Sequence, residues 1–140
     1  MTDVVKTNAL WKLLNSTVNV TFVLIVSLPL LAVLGFNLEY RICLVLIFFV
    51  YQLIVALSPK HRDFGDIVTK TVWVEKYPLK NHIIFAFLYS ASFSTFVIWI
   101  VFPFDLLLLN LFFIQLPFVL KTGYTLHGYL SGKMAGTRQR

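Results

Sequence analysis

Charge is scarce in this chain. Of its 140 residues only 13% are charged, against 59% hydrophobic, and the mean hydropathy is +0.82. Soluble domains carry about a quarter of charged residues, so this scarcity excludes an ordinary soluble fold and points to a membrane protein. Acids are scarcer still, with six Asp+Glu against twelve Lys+Arg and a formal net charge of +6. The basic excess comes without aromatic interleaving and without zinc-finger spacing, so it does not indicate nucleic-acid binding. Basic loops that orient membrane segments explain it better. A single cysteine, Cys43, cannot form an internal disulfide and says nothing about redox compartment. The opening residues, MTDVVKTNALWKLLNS, lack the pattern of a cleavable signal peptide, so the first hydrophobic stretch is expected to stay in the protein.

Other absences bear on chemistry. No serine lies in a nucleophile elbow, no glycine-rich loop could cradle phosphate, and His61, His82 and His127 are too far apart in sequence for a local metal motif. Asp63 and Asp66 share a turn, but beside Arg62 and Lys70 they read as a solvated, salt-bridged face. The expectation is no catalytic residue, no metal and no cofactor.

What is present is four apolar runs in a single 1–140 membrane domain, at about 18–36, 42–57, 83–102 and 106–120. Each is near the roughly 20 residues that cross a hydrocarbon core of about 30 Å. Only helices can satisfy their backbones there, because four strands cannot close a barrel. Short connections, NLEYR and Pro103-Phe104-Asp105, make each successive pair an antiparallel hairpin. The fold class expected is all-α, with four transmembrane helices as two hairpins. Pro29 and Pro117 fall inside the first and fourth runs, where a kink is expected.

The hairpins are joined by a charged loop, 58–82, and followed by a tail, 121–140. Eleven of the twelve Lys and Arg lie before the first run, in this loop or in the tail, and Arg41 alone lies on the other side. Loop and both termini are therefore expected in the cytoplasm. Within the loop, Phe64, Ile67, Val68 and Val72 recur at helical spacing, with Asp63, Asp66 and Lys70 on the other flank and Asp66 and Lys70 at i,i+4. This predicts an amphipathic surface helix with its apolar side in the membrane interface, and Trp73, Tyr77 and Tyr124 at headgroup level.

Inside the four runs no ionisable group appears, which leaves a proton relay without an acid. Neutral polar groups do occur. Lys12, Asn15 and Asn19 share one helix face, and Gln52, Asn110 and Gln115 follow in later runs. They read either as interhelical contacts or as the lining of a solute path, with hydrogen-bonding glue the stronger reading. The SASFST cluster offers the small-xxx-small pairs Ser90/Ser94 and Ala91/Thr95 for helix packing.

This order of parts, closing on TLHGYLSG, resembles the RDD family of small bacterial membrane proteins. The likeness spans roughly residues 12–132. Leu126, His127, Leu130, Ser131 and Gly132 match the family's ending motif, with Gly128 where the family has aspartate. The family's arginine, and its aspartate seven residues on, correspond to Lys12 and Asn19. Of its loop motif Gly65 alone is kept, and AGT at 135–137 echoes its ending. The resemblance implies an integral protein of the bacterial cytoplasmic (inner) membrane, in a family for which transport of ions or other ligands has been proposed. With neutral residues where the family carries acids, the expected function is a non-catalytic accessory or assembly subunit. Its expected partners are the lipid bilayer and either further copies of itself or another membrane protein, with no nucleic acid. The alternative is a small oligomeric transporter.

Overall fold

A computed structural model describes residues 4–6, 9–73, 76–122, 124–132, 134 and 136–139. Lys133, Arg140 and Ala135 of the AGT echo lie outside the described residues. Helices dominate: α1 (Ala9–Val26), α2 (Leu28–Leu34), α3 (Leu38–Leu57), α4 (Phe64–Thr69), α5 (Leu79–Val97), α6 (Asp105–Leu109), α7 (Leu116–Thr122) and α8 (Leu126–Leu130). Six residues, Asn110–Gln115, form a π-helical stretch that joins α6 to α7.

Among the described residues three helices are long and apolar enough to cross a membrane: Ala9–Val26, Leu38–Leu57 and the continuous Asp105–Thr122. The third expected crossing falls short of that standard. Its helix α5 opens on Lys80, Asn81 and His82 and stops at Val97 rather than Phe102. The apolar part from Ile83 to Val97 is roughly 22 Å long at 1.5 Å per residue. The first run divides near its proline: α1 ends at Val26, Ser27 forms a turn, and α2 restarts with Pro29 in its first turn.

The core lies where α3 crosses α5. Along α3 every fourth residue is buried, from Tyr40 through Leu44, Phe48 and Gln52 to Ala56, one stripe that winds slowly around the helix. The facing stripe of α5 is His82, Ala86, Tyr89, Ser90, Phe93 and Val97. Phe48 and Phe93 stack with ring centroids 4.2 Å apart, and Val23 of α1 closes the cluster. Of the small residues expected to pack, Ser90 alone is buried. Ala91 is exposed, Ser94 turns its hydroxyl onto the Ala91 carbonyl, and Thr95 faces Asn110 instead.

Three short strands, which hydrophobic periodicity did not predict, gather the chain's distant parts. Strands β1 (Val4–Lys6) and β2 (Thr71–Trp73) flank β3 (Gly136–Gln139), both antiparallel to it, with Val5 and Thr71 on either side of Arg138. The surface helix expected over 64–72 is therefore cut short. It ends at Thr69, Lys70 turns left-handed (φ 55°), and Val72 and Trp73 belong to a strand.

Candidate functional site

Helix α4 begins on a reciprocal cap. The Asp63 side chain accepts from Asp66 N (2.8 Å) while the Asp66 side chain accepts from Asp63 N (3.1 Å). Asp-x-x-Asp thus acts as a capping box, satisfying two otherwise orphaned amides at the start of a very short helix. This cap turns both carboxyls inward, onto the polar face of α1, and leaves Phe64, Ile67 and Val68 outside, each roughly half-exposed. The amphipathic pattern was legible, but its orientation was not: the acids expected in solvent face the protein.

Opposite the cap stand the two α1 carboxamides. Asn15 Nδ2 donates to Asp66 Oδ1 (2.7 Å), and Asn19 Nδ2 donates to Asp63 Oδ2 (2.9 Å) and Asn15 Oδ1 (3.1 Å). Asn19 Oδ1 accepts from Gly65 N (3.0 Å) and from the Tyr51 hydroxyl (2.9 Å), which itself accepts from Phe64 N (2.8 Å). Gln52 Nε2 adds a longer contact to Asp63 Oδ2 (3.4 Å). Asn19 is fully buried and Asp63 is 5% exposed, so these hydrogen bonds are made away from water, where leaving a partner unpaired is costly.

The approach is close because position 65 has no side chain. A Cβ built on Gly65 would collide with the Asn15 backbone oxygen and side chain. Gly128 is constrained likewise: a Cβ there would lie 2.8 Å from the Met134 carbonyl and 2.9 Å from Thr125 Oγ1, so an aspartate at 128 would require rearrangement. In the ending motif, Thr125 caps α8 and His127 is buried. Leu126 is half-buried, Leu130 is exposed, and Gly132 has a positive φ of 112°.

Between α1, α4, β2, α5 and α8 lies a cavity of about 80 Å³. Lys12, Asn15, Asp63, Asp66, Tyr89 and His127 supply most of its polar wall, and Trp11, Trp73 and Phe85 its aromatic wall. His127 is 9% exposed, and its Nδ1 is buried without a hydrogen-bond partner. Burial pushes the Asp63 carboxyl above its ordinary range. Asp66 is pushed well above it, first by burial and then by the Asp63 charge. Burial, with Lys12 nearby, lowers His127 to about 3.

Lys12, Asn15 and Asn19 therefore do share a face, and the loop covers it. Asn110 and Gln115 make no hydrogen bond to a described residue of this polar cluster; Asn110 serves α5, its Nδ2 donating to Ser92 Oγ (2.9 Å) and Thr95 Oγ1 (3.2 Å). Gln115 spans onward, from Asn110 Oδ1 to Leu126 N. Of the aromatics expected at headgroup level, Trp73 has its indole donating to the His61 carbonyl (2.7 Å) and packs edge-on against His82 and Phe85. Sequence reasoning read Asp63 and Asp66 as a solvated face, gave Gly65 no part in a contact and missed Tyr89. The Asp-x-x-Asp spacing beside an uncovered Asn face was the available signal.

Among the described residues no three His, Cys, Asp or Glu side chains cluster to hold a metal. Compared with models of protein families, with curated proteins and with solved structures, the chain matches none.

Proposed function

We propose that this membrane protein is a non-catalytic accessory or assembly subunit of RDD-like layout. In this reading it has four crossings in two hairpins, lies in the bacterial inner membrane, and keeps the 58–82 loop and both termini in the cytoplasm. Pairing of the N-terminal, loop and C-terminal strands in one sheet supports a common side for all three. The eleven-to-one distribution of Lys and Arg supports the cytoplasm as that side.

One observation carries the functional reading: the carboxamides of the long helices are bonded inside the chain, and an apolar layer closes the bundle beyond them. Asn19, Gln52, Asn110 and Gln115 each bond to a named partner. One turn further along α1, Val23 packs with Leu44, Phe48 and Phe93, all at most 4% exposed. Such an arrangement holds helices together and offers no continuous polar route. Exposed Leu, Ile, Val and Phe side chains on every long helix then meet lipid or the helices of another membrane subunit.

The acid pair, Asp63 buried and Asp66 half-buried, favours the second reading, an oligomeric transporter, since ionisable groups withdrawn from water commonly mark ion and proton pathways. Two measurements separate them. Purification from native membrane is expected to bring a stable partner, and liposomes containing the protein are expected to show no ion or proton flux above empty ones. Robust flux that Asn19→Leu abolishes, with assembly intact, favours the transporter.

A further inference from the structure

At the end of the bundle away from the 58–82 loop, the two short connections meet over one cation. Arg41, at the start of α3, sets its guanidinium carbon 4.2 Å from the ring centre of Trp99 and 4.8 Å from that of Phe36. Phe36 comes from the turn between α2 and α3 and Trp99 from the connection after α5, with the two ring centres 6.0 Å apart. Trp99 is itself fixed: its indole donates to the Phe96 carbonyl (3.1 Å), and its ring lies edge-on to Phe104 at 5.0 Å. Ring faces hold a guanidinium by its charge without neutralising it.

No acid answers that charge. Among the described residues Arg41 pairs with no carboxylate. Asp105, in the neighbouring connection, gives both its oxygens to the amides of Ile100, Val101 and Leu106. Glu39 is exposed and stands two residues earlier on α3, on the opposite flank of the helix. Arg41 Nε is buried without a partner, and no described residue accepts from the two terminal nitrogens. Those terminal nitrogens form a fork that can take two oxygens of one phosphate or carboxylate.

The apolar surroundings select the source of those oxygens. Leu38 and Ile42 flank Arg41 in the chain, Ile100 and Val101 follow Trp99, and all four are exposed. A free anion would leave these side chains in water, whereas a phospholipid covers them with acyl chains and brings a phosphate to the same place. We propose that Arg41, held by Phe36 and Trp99, binds the phosphodiester of an anionic phospholipid. A headgroup of net negative charge balances the lone cation, while a choline headgroup returns a positive charge with each phosphate. The site goes beyond helix packing and stands for an accessory subunit and a transporter alike.

Native mass spectrometry of the full-length protein in detergent, titrated with phosphatidylglycerol and separately with phosphatidylcholine, tests the site. The first phosphatidylglycerol is expected to bind about tenfold more weakly to Arg41→Gln than to the wild type, and unchanged to Lys60→Gln, which removes an exposed cation of the loop. Arg41→Lys, which keeps the charge and loses the fork, is expected to fall between wild type and Arg41→Gln, and it decides the matter if Arg41→Gln fails to fold. Phosphatidylcholine is expected to bind the wild type more weakly than phosphatidylglycerol does. Equal lipid binding by the wild type and the Arg41 variants, or an equal loss in Lys60→Gln, overturns the site. Inorganic phosphate in excess is expected to leave the lipid bound; displacement by it overturns the lipid in favour of a free anion. Loss of an oligomer in Arg41→Gln and Glu39→Gln alike, with lipid binding unchanged, overturns it in favour of an acid from a second copy.

Discussion

At the loop side of the bundle, Asp63 and Asp66 accept mainly from side-chain amides and from each other's backbone. At the opposite end of α5, Asp105 accepts only from backbone N–H groups: Ile100 (3.1 Å), Val101 (2.7 Å) and Leu106 (2.7 Å). Asp105 organises one local turn with one carboxylate. The pair joins two helices remote in sequence, and it sets two like charges one helical turn apart, Asp63 buried and Asp66 half-buried. A local cap tolerates full charge, whereas a shared tertiary one makes protonation part of folding.

The carboxamides show the same division. Asn19→Leu strands Asp63 Oδ2, Gly65 N and the Tyr51 hydroxyl together, and is expected to cost about 3 kcal/mol in unfolding measurements in detergent. Asn110→Leu removes a donor to the Ser92 and Thr95 hydroxyl oxygens, while Thr95 keeps its own bond to the Ser92 carbonyl, and is expected to cost about 1 kcal/mol. Equal losses would mean that the loop contact is no more demanding than ordinary interhelical bonding.

Gly65→Ala is expected next in size, at about 2 kcal/mol, because its Cβ meets Asn15 where α1 and α4 are closest. A neutral outcome would show that α4 can lift from α1 without loss. The same thermal unfolding assay reports it.

The pH dependence sharpens the comparison of the acids. Raised carboxyls in the folded protein contribute stability that is complete below the ordinary value of 3.8 and is lost as pH rises through their folded values. His127 runs the other way: its contribution is present above the ordinary 6.5 and is lost as pH falls toward about 3. His82, lowered to about 4 by burial and His61, adds to that acid limb. Over the range in which the carboxyls release their protons, stability should fall with rising pH, by at most about 1.4 kcal/mol per unit for one proton. Asp66→Asn should flatten this limb and Asp105→Asn should leave it unchanged, as followed by melting temperature across a pH series. The smallest effect concerns Lys70, whose left-handed backbone favours glycine. Lys70→Gly is expected to stabilise by about 1 kcal/mol, and no gain would show that the turn is held by other contacts.

Composition and hydropathy by themselves determined that this is a helical chain suited to a membrane, because apolar length and unpaired backbone in lipid leave little choice. Spacing also placed Lys12, Asn15 and Asn19 on one face, since about 3.6 residues per turn is a local property. Which way α4 presents its two faces was beyond local pattern. In water the apolar side of a short helix turns inward; here a membrane surface can take Phe64, Ile67 and Val68, so the acids are free to dock on α1. The strands were invisible for a related reason: each has at most four residues, and the partners that make them strands lie at opposite ends of the chain. Only tertiary structure could bring Asn19 to Asp63 across 44 residues and set His127 beside them, because no residue records in its own neighbourhood which distant polar group will satisfy it.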